Sequence, residues 1–103
     1  MKKSEIFCEI VNVVCACAEI DKNDLLMPTK RLEDISSART AVIGITKEYG
    51  LTNKQIQEFL NLKAHRSIGY HLNQFDVLSR TSRPFRFLLA SVRHELDKTL
   101  INV

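Results

Sequence analysis

Apolar residues recur at intervals of three and four along most of this chain, the spacing that places them on one face of an α-helix. The first such segment covers residues 4 to about 19, where Ile6, Ile10 and Val14 share a face and Ser4 is the candidate N-cap. The segment is rich in β-branched residues, so a buried strand is the alternative. Its length favours a helix.

A connector and a second long helix follow. Residues 21–31 are predicted to be a connector with at most one helical turn, around Asp24 to Met27, because Pro28 disfavours a helix before it. The second long helix runs from near Asp34 to Tyr49. Its predicted core stripe consists of Ile35, Ala38, Val42, Ile45 and Tyr49. Arg39 is expected to look outward from this helix.

Three signals mark the boundary after this helix. Gly50 can adopt the left-handed conformation that ends a helix. Thr52 and Gln55 have the spacing of a capping box, in which each side chain satisfies the other residue's backbone amide. Leu51 and Ile56 occupy the two positions of a hydrophobic staple. The agreement of these signals predicts that a new helix begins directly after Thr52.

The remainder of the chain is predicted to form three more helices. A short one covers residues 53–60, and after a tight turn a longer one covers about 64–80, with an apolar line of Ile68, Leu72, Phe75 and Leu78. A break at residues 81–84 contains Pro84, which suits the first turn of a helix. The last helix carries the apolar residues Phe85, Leu88, Leu89, Val92, Leu96 and Leu100, and we expect it to close the core.

The pattern as a whole predicts one all-α domain over residues 1–103, a bundle of five to six helices that contains a helix-turn-helix. Residues 1–29 form the N-terminal helix and connector, residues 30–80 the basic loop and helix-turn-helix core, and residues 81–103 the closing helix. With two prolines and three glycines, the chain has little material for a sandwich rich in turns.

Several classes of protein are disfavoured by what the sequence lacks. It has no run of about 18 apolar residues, so no membrane span is expected. Glu9 and Asn12 interrupt the first apolar run, which argues against a signal peptide and for a cytoplasmic location. There is no glycine-rich phosphate loop, nucleophile elbow or carboxylate pair. We therefore expect no enzyme activity, no small-molecule substrate and no cofactor.

The cysteines and histidines do not have the spacing of a metal site. The three cysteines lie together in the first predicted helix, at Cys8, Cys15 and Cys17. An odd number within one helix does not build a disulfide framework, so they are predicted to be buried, reduced thiols that pack as small hydrophobes. The histidines are expected to make polar contacts or to lie at the surface, and they are His65, His71 and His94.

Basic charge is concentrated in the second half of the chain. The net charge is +3, although residues 1–29 carry three basic and five acidic side chains. Between Phe59 and Arg93 six cations are opposed only by Asp76, and these cations are Lys63, Arg66, Arg80, Arg83, Arg86 and Arg93. A cationic region that coincides with a two-helix corner is typical of a surface that binds a polyanion. The alternative is a solvated basic face without a partner.

The residues of this corner resemble a known signature. Residues 56–68 correspond without a gap to Ile-Gly-x-x-Phe-Gly-x-Arg-Asp-His-Ser/Thr-Thr-Val, the signature of the C-terminal, double-stranded-DNA-binding domain of the bacterial replication initiator DnaA. Lys63 falls on the family's arginine, His65 on its histidine, Ser67 on its second hydroxyl residue and Ile68 on its valine.

The resemblance extends over roughly residues 6 to 98. The pairs Lys30-Arg31 and Ala38-Arg39 stand at separations that match the family's basic loop and the start of its following helix. The family's ATPase module is missing, so the chain looks like the DNA-binding domain alone. The resemblance implies the fold of that domain, which is similar to the helix-turn-helix of the tryptophan repressor.

The chain also departs from the signature. Ala64 replaces the family's aspartate, Arg66 replaces its first hydroxyl residue, and Gln57 and Asn61 replace its two glycines. Arg66 adds a bidentate donor that suits guanine or phosphate. Because the hydrogen-bond pattern offered to the bases has changed, the family's own target sequence is not expected here.

The resemblance and the charge pattern together imply binding of double-stranded DNA, in replication or in transcriptional regulation. The helix that begins near Ala64 would enter the major groove by its N-terminal end. The residues expected to contact DNA are Lys30, Arg31, Arg39, Lys54, Lys63, His65, Arg66, Ser67 and Tyr70.

These residues are expected to act in different ways. Residues 63 and 65–67 would reach base edges and the flanking phosphates. Arg31 resembles the family residue that enters the adjacent minor groove. Lys30, Arg39 and Lys54 would contact the phosphate backbone, and Tyr70 would contact its sugar-phosphate edge.

Two alternatives remain open at this stage. In the first, the domain is a protein-interaction module of the same fold that no longer binds DNA, with an exposed apolar patch on the cysteine-rich first helix. In the second, it is a dimeric repressor whose two recognition helices lie about 34 Å apart. The sequence does not decide the oligomeric state.

Overall fold

The computed structural model describes residues 2–26, 33–60 and 65–100 of the chain. Within these ranges it contains six α-helices and no strand. The helices are α1 (Lys3–Ala18), α2 (Lys22–Leu26), α3 (Glu33–Glu48), α4 (Asn53–Phe59), α5 (His65–Thr81) and α6 (Arg83–Leu100). The predicted all-α fold is confirmed, and the observed helices begin and end within a few residues of the predicted bounds.

Helix α3 lies at the centre of the bundle. It packs against α1, α2, α4 and α5, and every residue from 38 to 46 is buried. The predicted apolar stripe was therefore too narrow, because a helix enclosed by several neighbours is buried on all its faces. Small residues make this enclosure possible, since Ala38, Ala41 and Gly44 let the surrounding helices approach closely.

The first and last helices complete the core. Helix α1 buries one face against α3 and α6, with Ile6, Phe7, Ile10, Val11, Val14 and Cys15 inside. Helix α6 covers the core with Phe85, Leu89, Val92 and Leu96, as predicted for the closing helix. The predicted cap at Ser4 is wrong, because α1 already begins at Lys3 and its N-cap residue, Lys2, makes no side-chain capping bond.

A close contact between α3 and α5 determines where α5 runs. A Cβ atom added at Gly44 of α3 would overlap the ring of Phe75 on α5. Phe75 in turn packs edge-on against Phe85 of α6, with ring centroids 5.8 Å apart. The missing side chain at Gly44 thus allows α5 to lie directly against the central helix.

The three cysteines are free thiols with different environments. Cys15 is buried, Cys17 is partly buried and Cys8 is exposed. Burial raises the pKa of the Cys15 and Cys17 thiols, so both favour the neutral form. The prediction of buried thiols is correct for Cys15 and wrong for Cys8, whose position in α1 faces away from α3 and α6.

In the part of the chain that the structure describes, no helix combines the length and the apolar character needed to cross a membrane.

The contact at Gly44 generates a prediction about stability. Gly44→Ala should lower the free energy of unfolding by about 2 kcal/mol or more, because the added methyl group must displace Phe75 in a packed core. Urea unfolding followed by circular dichroism would measure the change. Gly69→Ala is the matched control, because a Cβ there meets no atom within 4 Å. It should stabilise the helix by roughly 0.5–1 kcal/mol, and equal effects of the two substitutions would contradict the proposed packing.

Candidate nucleic-acid interface

The corner between α3 and α4 is formed by local hydrogen bonds. Gly50 has φ +90°, and its amide donates to the Lys47 carbonyl at 3.0 Å. The amide of Leu51 donates to the Thr46 carbonyl at 3.2 Å, which completes a Schellman motif at the end of α3. The prediction that Gly50 ends the helix in a left-handed conformation is confirmed.

The start of α4 is formed by the predicted capping box. The Gln55 amide donates to Thr52 Oγ1 at 3.1 Å, and the Thr52 amide donates to Gln55 Oε1 at 2.8 Å. Leu51 and Ile56 are both buried, as a hydrophobic staple requires. Lys54, in the first turn of α4, is exposed.

Helix α5 is held on the bundle by its inner face. Ile68 is fully buried, and Leu72 and Phe75 pack partly buried against the core. His71 is also buried, and its Nδ1 is hydrogen-bonded to Thr40 Oγ1 of α3 at 2.8 Å. The polar contact expected for this histidine is confirmed. These inner contacts begin within the first turns of α5 and therefore fix its N-terminal end relative to α3.

The outer face of α5 is open. Tyr70 is 58 % exposed, Asn73 is exposed, and a side chain built at Gly69 would meet no atom within 4 Å. Because residues three and four apart share a helix face, positions 69, 70 and 73 form one line along α5. Tyr70 thus lies on the opposite side of α5 from the buried Ile68. The line offers an accessible surface that begins directly after the first turn of the helix.

The first turn of α5 is formed by His65, Arg66 and Ser67, whose backbone the structure describes. It contains no acidic residue. First turns usually favour Asp or Glu, because the helix dipole places partial positive charge there. A first turn with basic residues and no acid is therefore suited to an anionic partner rather than to the stability of the isolated helix.

Arg39 occupies a different place from the one predicted. It is only 7 % exposed, its Nε donates to the Leu25 carbonyl at 3.0 Å, and its Nη2 donates to the Asp24 carbonyl at 3.4 Å. The expectation that Arg39 looks outward and contacts phosphate is wrong, because the side chain is enclosed between α3 and α2. It supplies donors and positive charge to the carbonyl end of α2, where both are favourable.

The observed position of Arg39 affects the two helices on either side of the predicted basic loop. Arg39 ties α2 to α3, and these helices flank the segment that contains Lys30 and Arg31. Lys30, Arg31 and Lys63 lie outside the described residues. Arg39 therefore helps to fix the position of the two helices that flank this segment. Sequence reasoning missed this role because the partner carbonyls of Leu25 and Asp24 are fourteen and fifteen residues away.

The buried His71 lies in an environment that disfavours its charged form. Burial lowers the pKa of His71, and the nearby positive charge of Arg39 lowers it further. The imidazole is therefore neutral when it meets the Thr40 hydroxyl. The described residues contain no group of three or more His, Cys, Asp and Glu side chains that could hold a metal ion.

The neutral state of His71 predicts a pH dependence. Since its pKa is lower in the folded protein, the unfolded chain takes up the proton first, near pH 6.5. The stability contributed by the neutral ring is complete above about pH 6.5 and declines as the pH falls below this value. Urea unfolding between pH 7.5 and 5 should show a shallower decline for His71→Gln than for the wild type. His94→Gln, at an exposed position, is the control, and equal slopes for all three proteins would contradict the assignment.

Comparisons with known proteins add no relative to this description. No protein-family model matches the sequence, and no curated protein and no solved structure matches it. The comparisons therefore do not bear on the function.

Proposed function

We propose that this protein binds double-stranded DNA, with α4 and α5 acting as a helix-turn-helix and the N-terminal end of α5 entering the major groove. The observation that carries the proposal is the open face of α5, which follows directly on a first turn that contains basic residues and no acid. Each part of this surface would then have a separate role in binding.

The start of α5 would read the bases. Arg66 can donate two hydrogen bonds to guanine or to a phosphate, and His65 and Ser67 can exchange hydrogen bonds with base edges. The aligned amides at the start of the helix add partial positive charge where phosphates approach. Lys63, which immediately precedes this helix in the sequence, would add a further cation.

The surrounding elements would position the duplex. Lys54 is exposed in the first turn of α4 and would contact the phosphate backbone. Tyr70 extends from the open face of α5 and would contact the sugar-phosphate edge. Lys30 and Arg31 would contact the backbone and the adjacent minor groove, as the resemblance implies. Arg39 would support these two residues by holding α2 against α3.

The open face of α5 leaves space around Gly69 for the close approach of a duplex. An α-helix fits into the major groove when its outer face is free of bulky obstacles. Gly69 leaves a gap on this face, with open space around it. A glycine inside an exposed helix lowers the stability of that helix, and the close approach of a duplex would account for its presence here.

A second candidate function is a protein-interaction module, and one observation favours it. Phe87 of α6 is 67 % exposed and borders a groove of about 680 Å³, lined by Cys17, Ala18, Ile20, Pro84 and Leu88 among others. The expected location on α1 is wrong in part, because the large exposed hydrophobic residues of the described chain are Tyr70 and Phe87. The exposed positions of α1 carry polar, charged or small residues. A module of this kind would show no salt-sensitive binding of duplex DNA.

The proposal predicts sequence-dependent binding that depends on Arg66. Selection from randomised duplexes should recover a preferred sequence, and affinity for it should fall steeply with rising salt. Arg66→Ala should weaken binding of that sequence by about 1–3 kcal/mol and relax its specificity, as fluorescence polarisation would measure. Lys47→Ala, at an exposed position at the end of α3, is the control and should bind normally. Selection that recovers no sequence, together with affinity unaffected by salt, would contradict the proposal.

The open face predicts a charge effect at Gly69. Gly69→Gln and Gly69→Glu both fit the open space and should fold as stably as the wild type or better. If the face lies against DNA, the glutamate variant should bind duplex about tenfold more weakly than the glutamine variant at low salt, because it opposes the phosphates. The same pair of substitutions at Ala16, on the exposed side of α1, is the control. Equal affinities of the Gly69 pair would place the duplex elsewhere.

A further inference from the structure

The corner between α5 and α6 concentrates positive charge at the opposite end of α5. A single residue, Ser82, separates the two helices, and three exposed arginines surround it, namely Arg80, Arg83 and Arg86. We call these three residues the corner arginines. They lie outside the proposed interface at the start of α5, so that interface does not explain their charge.

The corner is a well-defined structure rather than a loose turn. The Ser82 amide donates to the Leu78 carbonyl at 2.9 Å, and the Arg86 amide donates to the Ser82 carbonyl at 3.1 Å. Ser82 Oγ accepts from the Phe85 amide at 3.2 Å and so caps α6. Phe85 is buried, and its ring meets Phe75. The core therefore fixes the backbone from which the corner arginines extend.

Few intramolecular partners neutralise the corner arginines. The Arg83 side chain makes no hydrogen bond or ion pair with the residues that the structure describes. Arg80 pairs with Asp76 at 2.9 Å, but the two side chains are 69 % and 68 % exposed, and such surface pairs contribute little. Arg86 donates from Nη1 to the Arg80 carbonyl at 3.1 Å, a bond that leaves its charge uncompensated.

The position of two of these charges is unfavourable for the helix that carries them. Arg83 and Arg86 lie in the first turn of α6, which contains no acidic residue. Cations at this end oppose the helix dipole and lower the stability of the helix. An anion held there would satisfy the guanidinium groups and would interact favourably with the dipole. The arrangement thus suits an anionic ligand better than it suits folding.

The chemistry of the corner arginines indicates a phosphodiester backbone. Guanidinium groups match the oxygens of phosphate in bidentate geometry. Exposed groups distributed around a corner suit a continuous polyanion that is gripped without reading its sequence. The α5 helix has 17 residues, so its two ends are roughly 24 Å apart at a rise of 1.5 Å per residue. If the N-terminal end of α5 enters a duplex, the corner arginines therefore lie roughly 24 Å from that end along the helix axis, where a second duplex could contact them.

We propose that the corner arginines are a second phosphate-binding surface, which takes the backbone of a second duplex while the start of α5 holds the first. One molecule would then bridge two DNA segments. The bridging arrangement rests on the proposed function, whereas the binding of phosphate at the corner does not depend on it.

A capture assay tests the bridge. One duplex carrying the preferred sequence is immobilised, and retention of a second, fluorescent duplex is measured as protein is added. The wild type should retain the second duplex. Arg83→Glu should reduce retention at least about fivefold and change the affinity for a single duplex by less than about twofold. Arg83→Gln should give an intermediate loss. The salt dependence of retention should fall by about 0.9 units of log-log slope for each phosphate contact removed.

The matched control is Lys3→Glu, which makes the same change of charge at an exposed residue that also opens a helix. It should retain the second duplex as the wild type does. Arg83 has no partner to lose, so circular dichroism should show both variants folded. Unchanged retention by Arg83→Glu overturns the bridge, and so does an equal loss in Lys3→Glu, since net charge alone would then explain the effect.

Two further outcomes separate this inference from the proposed function. If sedimentation shows that retention follows self-association of the protein without DNA, through the acidic residues of another copy, the corner surface is not a DNA site. If no preferred sequence exists and Arg66→Ala binds normally, the proposed function fails. In that case, salt-sensitive duplex binding by the wild type that is lost in Arg83→Glu would support phosphate binding at the corner alone.

Discussion

The enclosure of α3 is the constraint on which the other elements depend. Residues 38 to 46 are buried on every side, so four helices must find their positions against one central rod. At Gly44 the ring of Phe75 packs directly against the backbone of α3, and this contact sets the path of α5. The location of the candidate interface follows from this packing, since the start of α5 is carried by the same helix that Phe75 anchors.

Polar groups buried in α3 connect the core to the surfaces that flank it. The Thr40 hydroxyl meets His71 of α5, and the Arg39 guanidinium meets the carbonyl end of α2. The hydroxyl of Thr46 donates back to the Ile43 carbonyl within the helix. Buried polar groups must find partners, and those of Thr40 and Arg39 belong to two other helices, α5 and α2. The hydrogen bonds that satisfy the core therefore also orient those helices.

Charge is placed along α5 and α6 in a way that folding does not explain. The first turns of both helices lack acids, and that of α6 carries two arginines. Each departs from the usual preference for Asp and Glu at helix starts. Sequences break such local rules mainly where a site needs it. The two departures lie at opposite ends of α5, and the proposed anionic partner at each end would account for both.

The sequence by itself determined the features that arise within a few residues. The capping box of Thr52 and Gln55, the left-handed Gly50 and the helical periods follow from local hydrogen bonds and side-chain spacing, and local order is enough to specify them. Only the tertiary structure decided the burial of Arg39, the exposure of Cys8 and the enclosure of α3. These depend on which helices become neighbours, because the same side chain is buried or exposed according to what packs over it. The basic residues at the start of α5 were identified from the sequence. The open face beside them depends on the tertiary structure, because the packing of Ile68 and His71 into the core decides which side of α5 is exposed.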